Sequence, residues 1–181
     1  MRDSLVVMSS PAEWREVRDE AAQRFRPKRV RLLLVAEAPP AALHRYFYFP
    51  NVTEHDSLFR YVARLVLDAE PTRSGKLELL DSLRDAGVFL IDVCEEPIAD
   101  KSDLRQAVPD LVRRVKAIHP EHVILIKATV YDVARLPLKE AGVPVVDAMV
   151  PFPGSGQQRR FEEAMSAVLE SIDWSPRGRT R

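Results

Sequence analysis

Three charged residues stand where short apolar runs end. Glu37 follows Val30 to Ala36, Asp92 lies near the end of Val88 to Val93, and Lys127 follows Val123 to Ile126. An acid at the end of a buried strand can lose hydration and become a base near neutral pH. For Glu37, capping a backbone turn or pairing with an arginine is an equal alternative. Asp92 can accept hydrogen bonds from a ligand, or be satisfied by amides of its own loop. Lys127 can bind a phosphate or hold Glu37 or Asp92 ionised; a simple salt bridge is the plainer role.

Two further segments carry candidate chemistry. His44 precedes the aromatic run Tyr46-Phe47-Tyr48-Phe49-Pro50. Phe47 and Phe49 suit a stacking platform for a planar base, or they pack the loop onto the core. Gly154-Ser155-Gly156-Gln157 leads into a helix that carries Arg159 and Arg160. The glycines let backbone approach a ligand closely, and a helix start points free amides at an anion. Cys94 is the single cysteine. It can make no internal disulfide, cysteine-rich zinc site or iron–sulfur cluster, and reads as buried filler in a reducing cytoplasm.

Alternating helices and strands must position these residues. Ser10-Pro11-Ala12-Glu13 is a capping box that opens a helix running to about Phe25. The first strand, Val30 to Ala36, is apolar on nearly every residue, as a central parallel strand requires. Ala38-Pro39-Pro40 begins a long loop to about Val52, and Thr53 with Asp56 starts a helix. Another helix spans about Lys76 to Ala86, ended by Gly87, before the strand Val88 to Val93. Pro97 to Val108 reads as a loop, and Pro109 starts a helix stopped by His119-Pro120. After the third strand, Thr129 caps a helix ending at Gly142. Val143 to Val146 is a fourth strand, and Ser155 with Gln158 opens the last helix in capping-box register.

This order predicts an α/β fold, a three-layer α/β/α sandwich around a four-stranded parallel sheet. Ligands in such sheets sit beyond the carboxyl ends of the strands. That rule selects the loops after Ala36, Val93, Ile126 and Val146.

At 181 residues one domain over residues 1–175 is expected, with 176–181 a basic, disordered tail. The 27 basic and 27 acidic residues cancel, which argues against a strongly basic nucleic-acid module but allows a local patch. No apolar run is long enough to span a bilayer, and no secretory signal is visible, so a cytoplasmic protein is expected.

The strand-end loops resemble motifs of the uracil-DNA glycosylase superfamily. Ala36-Glu37-Ala38-Pro39-Pro40 is similar to the first motif, G-E-A-P-G, of its iron–sulfur branch. Asp92 falls where the superfamily has a base-reading Asn, and Val150-Pro151-Phe152-Pro153 where it has H-P-S-P. The resemblance covers about residues 28–173. The branch's four cluster cysteines are absent, so no cluster, metal or other cofactor is expected. Val150 replaces the motif histidine, and an ionised Asp92 accepts hydrogen bonds but cannot donate them as Asn does.

The resemblance implies a DNA partner and hydrolysis of the N-glycosidic bond of a flipped, deaminated or modified base. Glu37 would stabilise the oxocarbenium-like transition state or orient water, and His44 would substitute for the missing histidine. Phe47 or Phe49 would stack on the base and Asp92 would read it. Lys127 and Gly154, Ser155, Gly156, Gln157, Arg159 and Arg160 would contact phosphates. A non-catalytic nucleic-acid or nucleotide binder on the same fold is the alternative. A third possibility is an enzyme acting on a small nucleoside-like or phosphorylated ligand.

Overall fold

Leu32–Ala36 forms β1, the central strand, and all five of its residues are buried. The computed structural model describes residues 10–51, 56–69, 75–98, 100 and 102–176. Around β1 the chain runs through α1 (Pro11–Arg24), α2 (Ser57–Leu67), α3 (Lys76–Ala86), β2 (Val88–Asp92), α4 (Ser102–Ile118), β3 (His122–Leu125), α5 (Ala128–Glu140) and α6 (Gln158–Ser171). The protein is α/β, with a small open sheet of three parallel strands in the order β2-β1-β3. Ala36 pairs with Asp92 across one edge of β1, and Val35 with Leu125 across the other. Thr53 and the tail residues 177–181 lie outside the described residues.

Local signals explain most element ends. The Ser10 hydroxyl accepts from the Glu13 amide at 3.3 Å while the Glu13 carboxylate accepts from the Ser10 amide at 2.9 Å, closing the capping box. The Asp56 carboxylate accepts from the Phe59 amide at 3.1 Å and caps α2. Gly87 ends α3 at φ 83°, where a Cβ would lie 2.9 Å from Arg31 Cγ. His119 ends α4 in the left-handed region at φ 53°.

Four sequence expectations need correction. First, α4 begins at Ser102, not Pro109. Pro109 removes one helical N–H, but it and Arg105, whose carbonyl loses the partner, are exposed, so water can replace the bond. The helix is held by Leu104, Val108, Leu111 and Val115, all buried on one stripe. Second, Thr129 does not cap α5: the cap position is Lys127, without a side-chain bond. Third, Val143 to Val146 forms no strand. It meets β3 through an isolated bridge, Val145 to Val123, with a second at Val150 to Ile126. Pro144 has no N–H to offer a ladder, and the Val145 amide turns back to the Val143 carbonyl at 2.8 Å. Fourth, α6 starts at Gln158 with no side-chain cap. Ser155 has φ 41°, outside the extended backbone that a capping serine uses.

The loop between β1 and α2 seals the edge of the sheet. Tyr46, Phe47 and Tyr48 are buried. The Tyr48 hydroxyl donates to the Leu90 carbonyl at 2.9 Å and accepts from the Leu90 amide at 2.7 Å. One phenol thus satisfies both outward backbone groups of Leu90 on edge strand β2. Tyr48→Phe would leave two buried backbone groups without partners. The expected loss in urea unfolding is about 2–4 kcal/mol with an unchanged m-value. A loss below about 0.5 kcal/mol would show that Leu90 does not depend on the hydroxyl.

Candidate functional site

β1 and β3 are adjacent, yet their connections leave in opposite directions across the sheet, β1 toward β2 and β3 away from it. This is the switch point at which open parallel sheets leave a crevice. Glu37 emerges from β1 and Lys127 from β3 on its two sides. Lys127 Nζ ion-pairs with Glu37 Oε2, and the Thr129 hydroxyl donates to Glu37 Oε1 at 2.9 Å. Both carboxylate oxygens are therefore held. Thr129 lies inside the first turn of α5, past the cap position, and its hydroxyl is committed to Glu37. Lys127 sits at φ 85°, a region that costs a non-glycine residue roughly 1–3 kcal/mol. Its amide bonds the Val150 carbonyl at 2.7 Å, which holds that backbone turn.

A cavity of about 280 Å³ opens beside this pair. Glu37, Phe47, Asp92 and Lys127 all line it, so these predicted residues are brought together. Phe152 closes its mouth from the loop before α6, and Asp56 and Tyr46 complete the polar wall. The loops after β1 and β3 and the loop before α6 thus contribute, and β2 contributes Asp92 from its last position. The remaining predicted residues do not line this cavity. His44 is exposed. Phe49 packs edge-on against Tyr46, ring centres 5.3 Å apart, and serves the core. Gly154, Ser155, Gly156 and Gln157 lie on the approach to α6, and Arg159 and Arg160 in its first turn. Arg159 pairs with Glu163 at 2.8 Å, one turn away. No side chain caps the amides of the first α6 turn.

Phe152, Tyr46, Asp56 and Thr129 were not singled out as site residues from the sequence. The signal for Phe152 was a large apolar residue between two prolines. A Cβ on Gly154 would sit 3.1 Å from the Phe152 ring, so the glycine lets that ring lie against the loop. Tyr46 stood in the aromatic run, but nothing local marks it above its neighbours. Val150, at the place of the motif histidine, is fully buried and offers no proton chemistry.

Asp92 is the most perturbed acid near the site. Burial raises its pKa from 3.8 to about 7, while Arg114 and Arg18 pull it down and Asp56 pushes it up. Asp92 is half-buried and lines both this cavity and a second one beside it. No described residue donates a hydrogen bond to its carboxyl. Its backbone carbonyl accepts from Arg114 at 2.9 Å. Among the described residues no group of three or more His, Cys, Asp or Glu could hold a metal, and no helix is long and apolar enough to cross a membrane.

The raised pKa has a definite sign in stability. Between pH 3.8 and about 7 the folded state holds a proton on Asp92 that the unfolded chain has released. Stability from this group therefore falls as pH rises through that window. Subtracting Asp92→Asn from the native chain isolates the effect, because other carboxylates titrate in both. In urea unfolding from pH 4 to 8, the native chain should lose stability relative to the variant across about pH 4–7. Parallel curves would mean that Asp92 titrates alike in both states.

No protein-family model matches this chain, and no curated protein matches its sequence.

Proposed function

We propose that the protein is a DNA glycosylase-like hydrolase that removes a deaminated or modified base on a uracil-DNA glycosylase-like sandwich. The observation that carries this reading is the convergence of Glu37, Phe47, Asp92 and Lys127 on one cavity at the strand ends. A planar base entering it would meet the aromatic surface of Phe47 and Tyr46, with Phe152 at the mouth. Cavities of this size with few convergent polar groups suit small planar ligands.

Glu37 supplies the negative charge for an oxocarbenium-like transition state. Lys127 and Thr129 hold its carboxylate in one orientation, so little reorganisation is needed when positive charge develops on the sugar. Asp92 supplies base selection. Near neutral pH both of its forms are populated. The protonated carboxyl can donate to a carbonyl such as deamination leaves, and the carboxylate can accept from an exocyclic amine. The open first turn of α6, with Arg160 exposed beside it, supplies amides and charge for a flanking phosphate. The main body of the protein would then lie over the duplex with the strand ends facing it.

A second reading, a binder without catalysis, is favoured by one observation. Both Glu37 oxygens already have protein partners, so water must compete with Thr129 or Lys127 to be activated.

Duplex and single-stranded oligonucleotides carrying uracil, hypoxanthine or xanthine separate the two readings. The glycosylase reading expects abasic product from at least one of them, reduced about 10²- to 10⁴-fold in Glu37→Gln. Salt-dependent binding with no abasic product from any base would establish the binder. Activity that survives Glu37→Gln unchanged would remove Glu37 from the chemistry.

A further inference from the structure

A second cavity of about 340 Å³ lies on the far side of Asp92, between α1, the end of β2 and α4. It shares Pro39, Tyr46, Leu90 and Asp92 with the first cavity as a common wall. The base-excision scheme uses only its shared wall, Tyr46 and Asp92, and none of the rest.

Three polar side chains line it with hydrogen-bonding capacity to spare: two buried, Tyr46 and Arg18, and one half-buried, Asp92. The Tyr46 side chain is buried, yet no described residue bonds its hydroxyl. The charges acting on that hydroxyl are Asp92, Asp19, Arg18 and Glu95, and all four line this cavity. Arg18 is 4% exposed. Its Nη2 donates to the Glu95 carbonyl at 3.0 Å and the Glu96 carboxylate at 2.9 Å. Its Nε and Nη1 meet no acceptor among the described residues. The Asp92 carboxyl is the third such group. Hydrogen-bonding atoms on a cavity wall that no side chain of the protein engages are available to a ligand that fits them.

Charge decides what kind of ligand. Four arginines line the cavity against three carboxylates. Glu96 pairs with Arg18 at 2.9 Å, and Asp110 pairs with Arg113 and Arg114. No positive excess remains to hold a phosphate dianion. Arg18 donates, Asp92 accepts when ionised, and Tyr46 does either. The complementary group is one whose every polar atom both donates and accepts, and that is a hydroxyl. Adjacent hydroxyls on one small ring can span Arg18, Tyr46 and Asp92 together. Phe89, Ala22 and Ile118 offer apolar wall for the carbon face of such a ring.

We propose that the cavity between α1 and α4 is a binding site for a neutral polyol, a pentose or similar vicinal diol, held by Arg18, Tyr46 and Asp92. The site needs neither Glu37 nor Phe47, so it can hold whether or not the glycosylase reading does, although it shares Tyr46 and Asp92 with the first cavity.

The test uses methyl β-D-ribofuranoside as probe, followed by saturation-transfer NMR and titration calorimetry on the full chain. Binding is expected with a millimolar Kd. Tyr46→Phe, which removes only the unpartnered hydroxyl, should weaken it about tenfold. Phe152→Ala, at the mouth of the other cavity, should leave it unchanged. Several results would overturn the proposal: no saturation transfer to the native chain, equal affinity in Tyr46→Phe, loss of binding in Phe152→Ala, or binding of inorganic phosphate in place of the riboside. Circular dichroism of both variants confirms that a changed affinity is not a changed fold. The outcome is separable from the oligonucleotide assay, since that assay reads Glu37 and this one reads Tyr46.

Discussion

The middle strand cannot expose a side chain. β1 has a parallel partner on each edge, and all five of its residues are buried. A polar group on this strand would need a buried partner, so polar chemistry first becomes possible where the strand ends. Glu37 is that first position. β3 obeys the same constraint on its buried residues, and the chain leaves it at Ile126 to meet Lys127. The two side chains emerge at the same level because Val35 is in register with Leu125. Register therefore creates the ion pair, and the ion pair with Thr129 fixes the floor of the first cavity. The strained backbone at Lys127 is tolerated because its amide, its ammonium and the following helix are all held.

The aromatic loop combines two roles that sequence alone presents as alternatives. Tyr48 closes the sheet edge, while Phe47 and Tyr46 form cavity wall. Lys76 lies buried beneath this loop, its ammonium 3.3 Å from the Tyr46 carbonyl and 4.6 Å from the Phe59 ring centre. Burial lowers its pKa to about 8, opposed by Asp56. The ammonium thus ties the loop to α3 from below, and the Tyr48 hydroxyl ties it to β2 from the side. A wall anchored at two points arrives preorganised for a ligand.

Features set by nearby residues were legible in the sequence. The Ser10 box, the Gly87 stop and the apolar strands each depend on neighbours within a turn or a pleat. Failures came where a distant partner outbid a local one. Thr129 has the right chemistry for a cap, but it lies past the cap position, and Glu37, 92 positions away, takes its hydroxyl. Pro109 reads as a helix start until the structure shows it and Arg105, one turn back, exposed within a longer helix. The fourth strand has the right apolar residues, yet Pro144 lacks the donor that a ladder needs. Within the site, Glu37, Asp92 and Lys127 were marked by strand ends, a positional rule. His44 and Phe49 were drawn in by proximity along the chain, which does not say which way a loop turns. The second cavity gathers α1, the aromatic loop, β2 and α4, and no spacing in the sequence announces that meeting.

Asp92 links the two cavities, and burial there is the leading cause of its raised pKa. Arg18 and Arg114 act on it from the α1 and α4 side, and Asp56 acts from the α2 side. Desolvation outweighs the pull of the two arginines, and Asp56 adds to it. A ligand group in either cavity would change that balance. A donor placed against the carboxyl would favour the ionised form, and a displaced water would favour the neutral one. The two cavities would then communicate through one proton, because whatever fills one sets what Asp92 can offer the other. A fixed asparagine at this place would read a base in one way regardless of the second cavity. An aspartate held near neutral pH makes the reading conditional, and the shared wall is the physical reason for the difference.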